Sequence, residues 1–163
     1  MKKLNPFNYE HLFSYSCTIF PNMELIKNAP FGMRCTGYIS GGVVWGPKLN
    51  GKVRPVGGDW SIVSPNGVVN LDVRATLESN DGAIIYMKYG GRMDLGSSQG
   101  YEDYKAEKFP SKSYINMMPV LETDHPDYEW MNRVSCFGIG RVDFTTDPVL
   151  VQYDVYAFNS LAD

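Results

Sequence analysis

The sequence predicts an all-β protein whose strands close into an antiparallel barrel or stack as a sandwich. Three observations carry this. Turn-forming residues are frequent, with 16 Gly and 10 Pro among 163 residues, and long helix-forming runs are few. Alternation of apolar and polar residues at period two recurs along the chain. The alternating segments are rich in β-branched and aromatic residues and recur at a spacing of roughly 20 residues, which gives about eight strands.

Taken in order, Tyr9 to Phe20 and Gly32 to Val44 carry strand-like alternation. The run Asp59-Trp60-Ser61-Ile62-Val63 reads as a short strand. Ser64-Pro65-Asn66-Gly67 turns the chain, because Pro pre-sets the first turn position and Asn-Gly supplies positive φ. Val68 to Glu78 then alternates cleanly, with Leu71, Val73, Ala75 and Leu77 on one face and Asn70, Asp72, Arg74, Thr76 and Glu78 on the other. Ser79-Asn80-Asp81-Gly82 is a second hairpin signal, and Ala83 to Tyr89 is the next strand, ended by Gly90-Gly91. Lys112 to Glu122, Arg133 to Val142 and Val149 to Phe158 complete the set. Asp124 is placed to cap one short helical turn through Pro126 to Trp130, and the charged, aromatic stretch Gly100 to Phe109 reads as a loop.

At 18.3 kDa the chain suits one domain over residues 1–163, large enough for a single core without a disulfide or metal staple. A net charge of −3, with Lys and Arg scattered, argues against a nucleic-acid partner. Met1-Lys2-Lys3 is followed by Asn5, Pro6, Asn8 and Glu10 rather than an apolar core, so no secretory signal is read there. The longest apolar run, Ala83 to Met87, is too short to span a bilayer, and no membrane association is expected. Cys17, Cys35 and Cys136 are odd in number and read as reduced, buried thiols of a cytoplasmic protein. No cofactor is expected. Gly138-Ile139-Gly140 lacks the third Gly and the following helix of a dinucleotide site, and His11 and His125 have no partners at metal-ligand spacing.

Two stretches are more specific. Gly46 to Arg92 contains Gly58-Asp59-Trp60, Leu71-Asp72-Val73-Arg74 and Asp81-Gly82-Ala83. Tyr114 to Arg141 contains Trp130-Met131-Asn132-Arg133. Together they resemble the bacterial and fungal family known as domain of unknown function 3237, or uncharacterised protein family 0311. The resemblance runs from the strand at Tyr9 to Tyr153-Asp154-Val155-Tyr156. It implies a closed antiparallel β-barrel of the lipocalin-like or allene-oxide-cyclase-like kind, usually in a homo-oligomer. It implies no established activity.

In a barrel, one face of each strand lines the interior. Two phases are open for the strand from Asn70 to Glu78. The apolar face fills the core, or the polar face lines a cavity. The resemblance favours the second, because Asp72 and Arg74 belong to its motif. On that phase Arg74 is a planar cation for a carboxylate, phenolate or enolate oxygen. Asp72 or Glu78 orients it or acts as general base, and Tyr86 on the next strand donates to a developing oxyanion. Asp59, Trp60, Thr76, Trp130 and Asn132 are the candidate ligand-binding residues. Against each stands a structural role: a same-face ion pair for Arg74, a bend cap for Asp59, a core anchor for Trp60, a barrel plug for Trp130 and a backbone bond for Asn132. The acidic residues Glu122, Asp124, Asp127 and Glu129 lack the spacing of a calcium loop. Three functions remain open. The protein is a cofactor-independent cyclase or isomerase acting on a small organic molecule, a non-catalytic carrier or sensor of a hydrophobic metabolite, or a structural oligomerising module with a filled barrel. The 3 Trp, 11 Tyr, 8 Phe and 8 Met suit an apolar, adaptable pocket.

Overall fold

The computed structural model describes residues 8–159. Met1-Lys2-Lys3 and the outermost ends of the expected domain lie outside those residues. Nine strands form: β1 (Asn8–Ile19), β2 (Glu24–Ala29), β3 (Gly32–Trp45), β4 (Gly51–Val63), β5 (Val68–Ser79), β6 (Ile84–Asp94), β7 (Lys112–Glu122), β8 (Cys136–Asp143) and β9 (Val149–Asn159). One α-helix, α1 (Ser98–Lys105), follows β6, and a 3-10 helix (Pro126–Arg133) follows β7. Every pairing is antiparallel. The order β1-β9-β8-β7-β6-β5-β4-β3 closes on itself through β3 and β1, so eight strands make a barrel with β2 as an extra strand on β3.

Closure depends on β3. Its first half, from Gly32 to Thr36, pairs with β2 on one edge, while its second half takes β1 there instead, from Ile19↔Ile39 to Ser14↔Trp45. The opposite edge pairs with β4 and slips register between Tyr38 and Gly42. A second slip follows between Val53 and Gly57 in the β4–β5 ladder. Such bulges bend a strand and raise its local twist, which is how a sheet turns back on itself. Gly42 sits where β3 crosses to β1. A Cβ there would overlap the Ser16 carbonyl, so the two backbones meet as closely as they do only because that side chain is absent.

The phase of the barrel follows the apolar stripes. Val73, Ala75 and Leu77 point inward and are buried, and so are Ile85, Met87 and Tyr89 of β6 and Tyr153, Val155 and Ala157 of β9. The two ends of the interior differ. Phe13, Leu49, Val53, Leu77, Ile85 and Leu121 pack solidly at one end, under the 3-10 helix whose Met131 is almost wholly buried. The other end is covered by α1, through buried Tyr101 and Tyr104. Tyr104 meets Phe109 at 4.8 Å and Phe144 at 6.1 Å, and these two stack on each other at 5.2 Å. Lys27 of β2 reaches across to Glu107 at 2.6 Å.

Several element readings change. The stretch Gly100 to Phe109 holds most of α1 rather than being only a loop, because Tyr101 and Tyr104 fall on one helical face and bury together. The strand after Ala83 does not stop at Gly90-Gly91. It continues to Asp94, where Gly91 lets β7 approach. β4 begins eight residues before Asp59, at Gly51, and β2 is an additional strand. The 3-10 helix is capped by His125 rather than Asp124, since the His125 side chain accepts the Asp127 N–H at 3.3 Å. Cys17, Cys35 and Cys136 are buried free thiols, as read from the sequence. Among the described residues, no helix is long and apolar enough to cross a membrane.

The tight β1–β3 crossing makes a specific expectation. Gly42→Ala should lower stability by more than about 2 kcal/mol, because backbone must move to admit the methyl group. Gly90→Ala, whose Cβ would meet nothing nearer than 3.7 Å, should change it by less than about 0.5 kcal/mol. Urea unfolding of the two variants checks this, and equal midpoints would refute the role given to Gly42.

Candidate functional site

The α1 end of the barrel is hollow. A cavity of about 100 Å³, partly open to solvent, is lined by all eight barrel strands and by Tyr104 of α1. Its walls are mostly apolar, with Leu71, Val73, Met93, Ile115 and Val151 among them. One carboxyl group enters it, that of Asp59 on β4. The reason is local. The β4–β5 ladder pairs Asp59 with Val73 and resumes at Ile62 with Asn70, leaving the residues between unpaired. Asp59 Oδ1 accepts the Asp72 backbone N–H at 2.9 Å in place of a ladder bond. No other hydrogen bond to this carboxyl exists among the described residues, so Oδ2 remains open to the cavity.

Burial dominates the electrostatics of Asp59. It pushes the carboxyl up from 3.8 to about 7, opposed by the Asp72 N–H and aided by the Asp72 charge. Among the described residues, no Lys, Arg or His lines the cavity to offset the charge. Besides Tyr104 of α1, three tyrosines surround the same space. Tyr89 and Tyr153 line it with Tyr104, and Tyr15 lies behind them. The Tyr15 hydroxyl donates to Tyr89 Oη at 3.0 Å. The rings of Tyr15 and Tyr153 stack at 5.0 Å, and those of Tyr89 and Tyr153 meet at 5.7 Å and 63°. Burial holds all three phenols well above their ordinary value, so they are neutral donors at any physiological pH. Tyr104 of α1 is raised in the same way. Cys17 and Cys35 also line the cavity, and burial pushes their thiols up to about 12 and about 11. These are protonated, unreactive groups.

The other residues singled out from sequence lie elsewhere. Asp72, Arg74, Thr76 and Glu78 are on the outer face of β5, because Val73, Ala75 and Leu77 take the inner one. Of the two phases weighed for this strand, the structure has the apolar face inward. Arg74 binds Asp72 at 3.1 Å and lies over the Trp60 ring at 5.5 Å, both on the outer surface. Glu78 pairs with Lys52 at 3.0 Å and Arg54 at 3.7 Å. Such exposed pairs contribute at most about 1 kcal/mol each. Tyr86 also points outward, opposite Thr76. Trp130 is half-buried on the 3-10 helix and packs against the core, while its neighbour Met131 is the buried residue of that helix. Asn132 bonds the backbone of Thr123 in both directions, at 2.9 and 2.8 Å. Only Asp59 among the nine candidates reaches the interior cavity.

Tyr89 and Tyr153, absent from the sequence candidates, have a signal that is weak but present. Each is a hydroxyl-bearing residue on an otherwise apolar strand face, in phase with Met87 and Val151. A surface group also gathers. One ligand atom each from Asp81, His125 and Asp127 lies within 4.8 Å of the others. These groups already serve the local fold. Asp81 accepts from Ser79 and from the Tyr128 hydroxyl at 3.1 and 3.2 Å, and His125 caps the 3-10 helix.

Comparison with known proteins agrees with the barrel. The family described as Protein of unknown function (DUF3237) matches residues 7–158. A UPF0311 protein of Clostridium acetobutylicum is 34% identical over 126 residues, which is 76% of this chain and 79% of that protein. A crystal structure of a protein of unknown function from the same organism superposes with a TM-score of 0.83 at 30% identity, covering 96% of this chain and all (100%) of that one. A β-barrel like protein of Acinetobacter baumannii gives 0.78 at 27% identity, covering 98% and 100%. An enzyme from Penicillium herquei gives 0.60 at 18% identity over 95% and 98%, a likeness of fold alone. With the family matched over nearly its whole length, the chain belongs to the DUF3237 family, whose function is unknown.

Proposed function

We propose that this protein is a small-molecule enzyme of the cofactor-independent isomerase or cyclase kind, which binds its substrate in the barrel interior and moves a proton with Asp59. The carrying observation is one carboxyl group in an apolar cavity, raised to about 7 by burial, with one oxygen open to a ligand. A carboxyl poised at that value is half ionised at neutral pH. Both protonation states are then populated, so the group serves as base and, once protonated, as acid. The apolar walls supply binding through exclusion of water, and the neutral tyrosines supply hydrogen bonds without adding charge. At about 100 Å³ the cavity approaches the roughly 150 Å³ of an apolar cavity that accepts benzene.

The carrier reading keeps one observation in its favour, the apolar and partly open character of the cavity. Both readings are separated by one experiment. Carbon-13 NMR of carboxyl-labelled protein should show a resonance titrating near 7 that vanishes in Asp59→Asn. Calorimetry should show phenol binding in wild type that weakens at least tenfold in Asp59→Asn. An Asp59 titrating near 4 defeats the acid–base reading. Phenol binding equal in the two proteins leaves the carrier.

Stability should carry the same signature. Folded Asp59 keeps its proton up to about 7, whereas unfolded Asp59 releases it near 3.8. The folded state therefore holds more protons between these values, and its stability falls as pH rises through that window. Above it the full cost is present, at most about 4 kcal/mol for a shift of this size. Asp59→Asn should accordingly be more stable than wild type at pH 8, with the gap closing near pH 4. Urea midpoints of both proteins check it, and a gap independent of pH would contradict the burial argument.

A further inference from the structure

Resting on the acid–base reading above, the geometry points to a substrate class: we infer that the cavity takes a small, uncharged, enolisable carbonyl compound, its oxygen held by the hydroxyls of Tyr89 and Tyr153 and its α-carbon at Asp59. Three features of the cavity select this chemistry.

The first is charge. Among the described residues, Asp59 is the sole charged group on the wall, with no Lys, Arg or His to pair it. A carboxylate or phosphate ligand would bring a second negative charge into an apolar space beside the first, at a large desolvation cost. A cationic ligand would pair with Asp59 but would consume the base. A neutral molecule incurs neither cost. The second is the inventory of donors. Ser61 is already committed, donating to the Cys35 carbonyl at 3.0 Å. The thiols are weak donors. Of the lining tyrosines, Tyr104 is engaged with the Cys35 thiol. Tyr89 and Tyr153 remain; they hydrogen-bond each other, and Tyr89 also accepts from the Tyr15 hydroxyl at 3.0 Å, which polarises its own O–H for onward donation. These groups hold an acceptor that gains negative charge, as a carbonyl oxygen does on becoming an enolate.

The third is placement. Asp59 is on β4, and Tyr153 is on β9, three strands away around an eight-stranded barrel, with Tyr89 on β6 between them on the other side. Base and hydroxyls therefore approach a ligand from different sides of one cavity. An α-proton and its carbonyl oxygen are three bonds apart, so base and oxyanion donors must sit at separate points around the ligand. The step balances without a cofactor. The Asp59 carboxylate takes the α-proton, the C–H electron pair becomes the new C=C bond, and the C=O π pair moves to oxygen under the tyrosine hydrogen bonds. Asp59 then returns the proton to carbon, at the same site or at a conjugated one.

The experiment is hydrogen–deuterium exchange of cyclopentanone, a neutral ketone of six heavy atoms, followed by proton NMR in D₂O. Wild type should accelerate exchange at least tenfold over Asp59→Asn, with the rate rising as pH passes through about 7 and the carboxylate forms. Tyr153→Phe and Tyr89→Phe, each checked for fold by circular dichroism, should lower the rate at least roughly tenfold, as expected for losing one oxyanion donor. Two such variants keep the test open if one fails to fold. Exchange in wild type no faster than in Asp59→Asn overturns the carbonyl assignment. If phenol still binds and Asp59 still titrates near 7, the acid–base reading survives that failure. Exchange that needs Asp59 but is untouched in both Phe variants overturns the oxyanion role of the tyrosines.

Discussion

Everything in this molecule depends on β3 serving two neighbours on one edge. It leaves β2 and takes up β1 midway along its length, and that exchange turns an open sheet into a barrel. Closure removes the exposed hydrogen-bonding edges along the barrel wall. It also fixes which face of every strand is inside, since side chains alternate and a one-residue slip would invert them all. The bulges on either side of β4 are the geometric means. The second of them lies just ahead of Asp59, so the bend that closes the sheet also leads into the one carboxyl of the cavity.

That carboxyl is costly to the fold and useful to the site for the same reason. An apolar wall withholds the solvation that would keep it ionised, and its single backbone hydrogen bond compensates only partly. The tyrosines beside it are satisfied among themselves or face the cavity, and no fully buried side-chain oxygen or nitrogen lacks a partner among the described residues. The stability of the barrel comes from elsewhere, from the dense packing of Phe13, Leu49, Leu77 and Leu121 at the opposite end. This division lets one end tolerate a group that the other could not accommodate.

Much of the fold was legible because the strands repeat at period two and their turns carry Pro, Asn and Gly in the required places. The hairpins at Ser64 to Gly67 and Ser79 to Gly82 are examples. α1 was harder to read. Its residues are polar apart from Gly100 and two tyrosines, and only the burial of Tyr101 and Tyr104, the latter against Phe109 and Phe144, shows why it forms. The site was less legible still. Asp72 and Arg74 draw attention as a charged pair within a family motif, yet that pair and the Trp60 ring form an outer-surface cluster. Which face of a strand turns inward is set by closure across the whole sheet, and no single strand encodes it. Asp59 was visible only as a residue after two glycines. Its burial depends on β5, β6 and β9, which converge on it from distant parts of the chain.

A barrel packed at one end and hollow at the other is two materials in one wall. Each strand contributes to both, with a load-carrying half toward the 3-10 helix and a half toward α1 whose side chains border empty space. Residues in the hollow half, such as Leu71, Met93 and Val151, are free to change size with little repacking around them. Descendants of such a protein can therefore exchange one small molecule for another by altering a few wall positions while the scaffold stays as it was. The same property makes the α1 end the natural place to reshape this protein for a chosen guest.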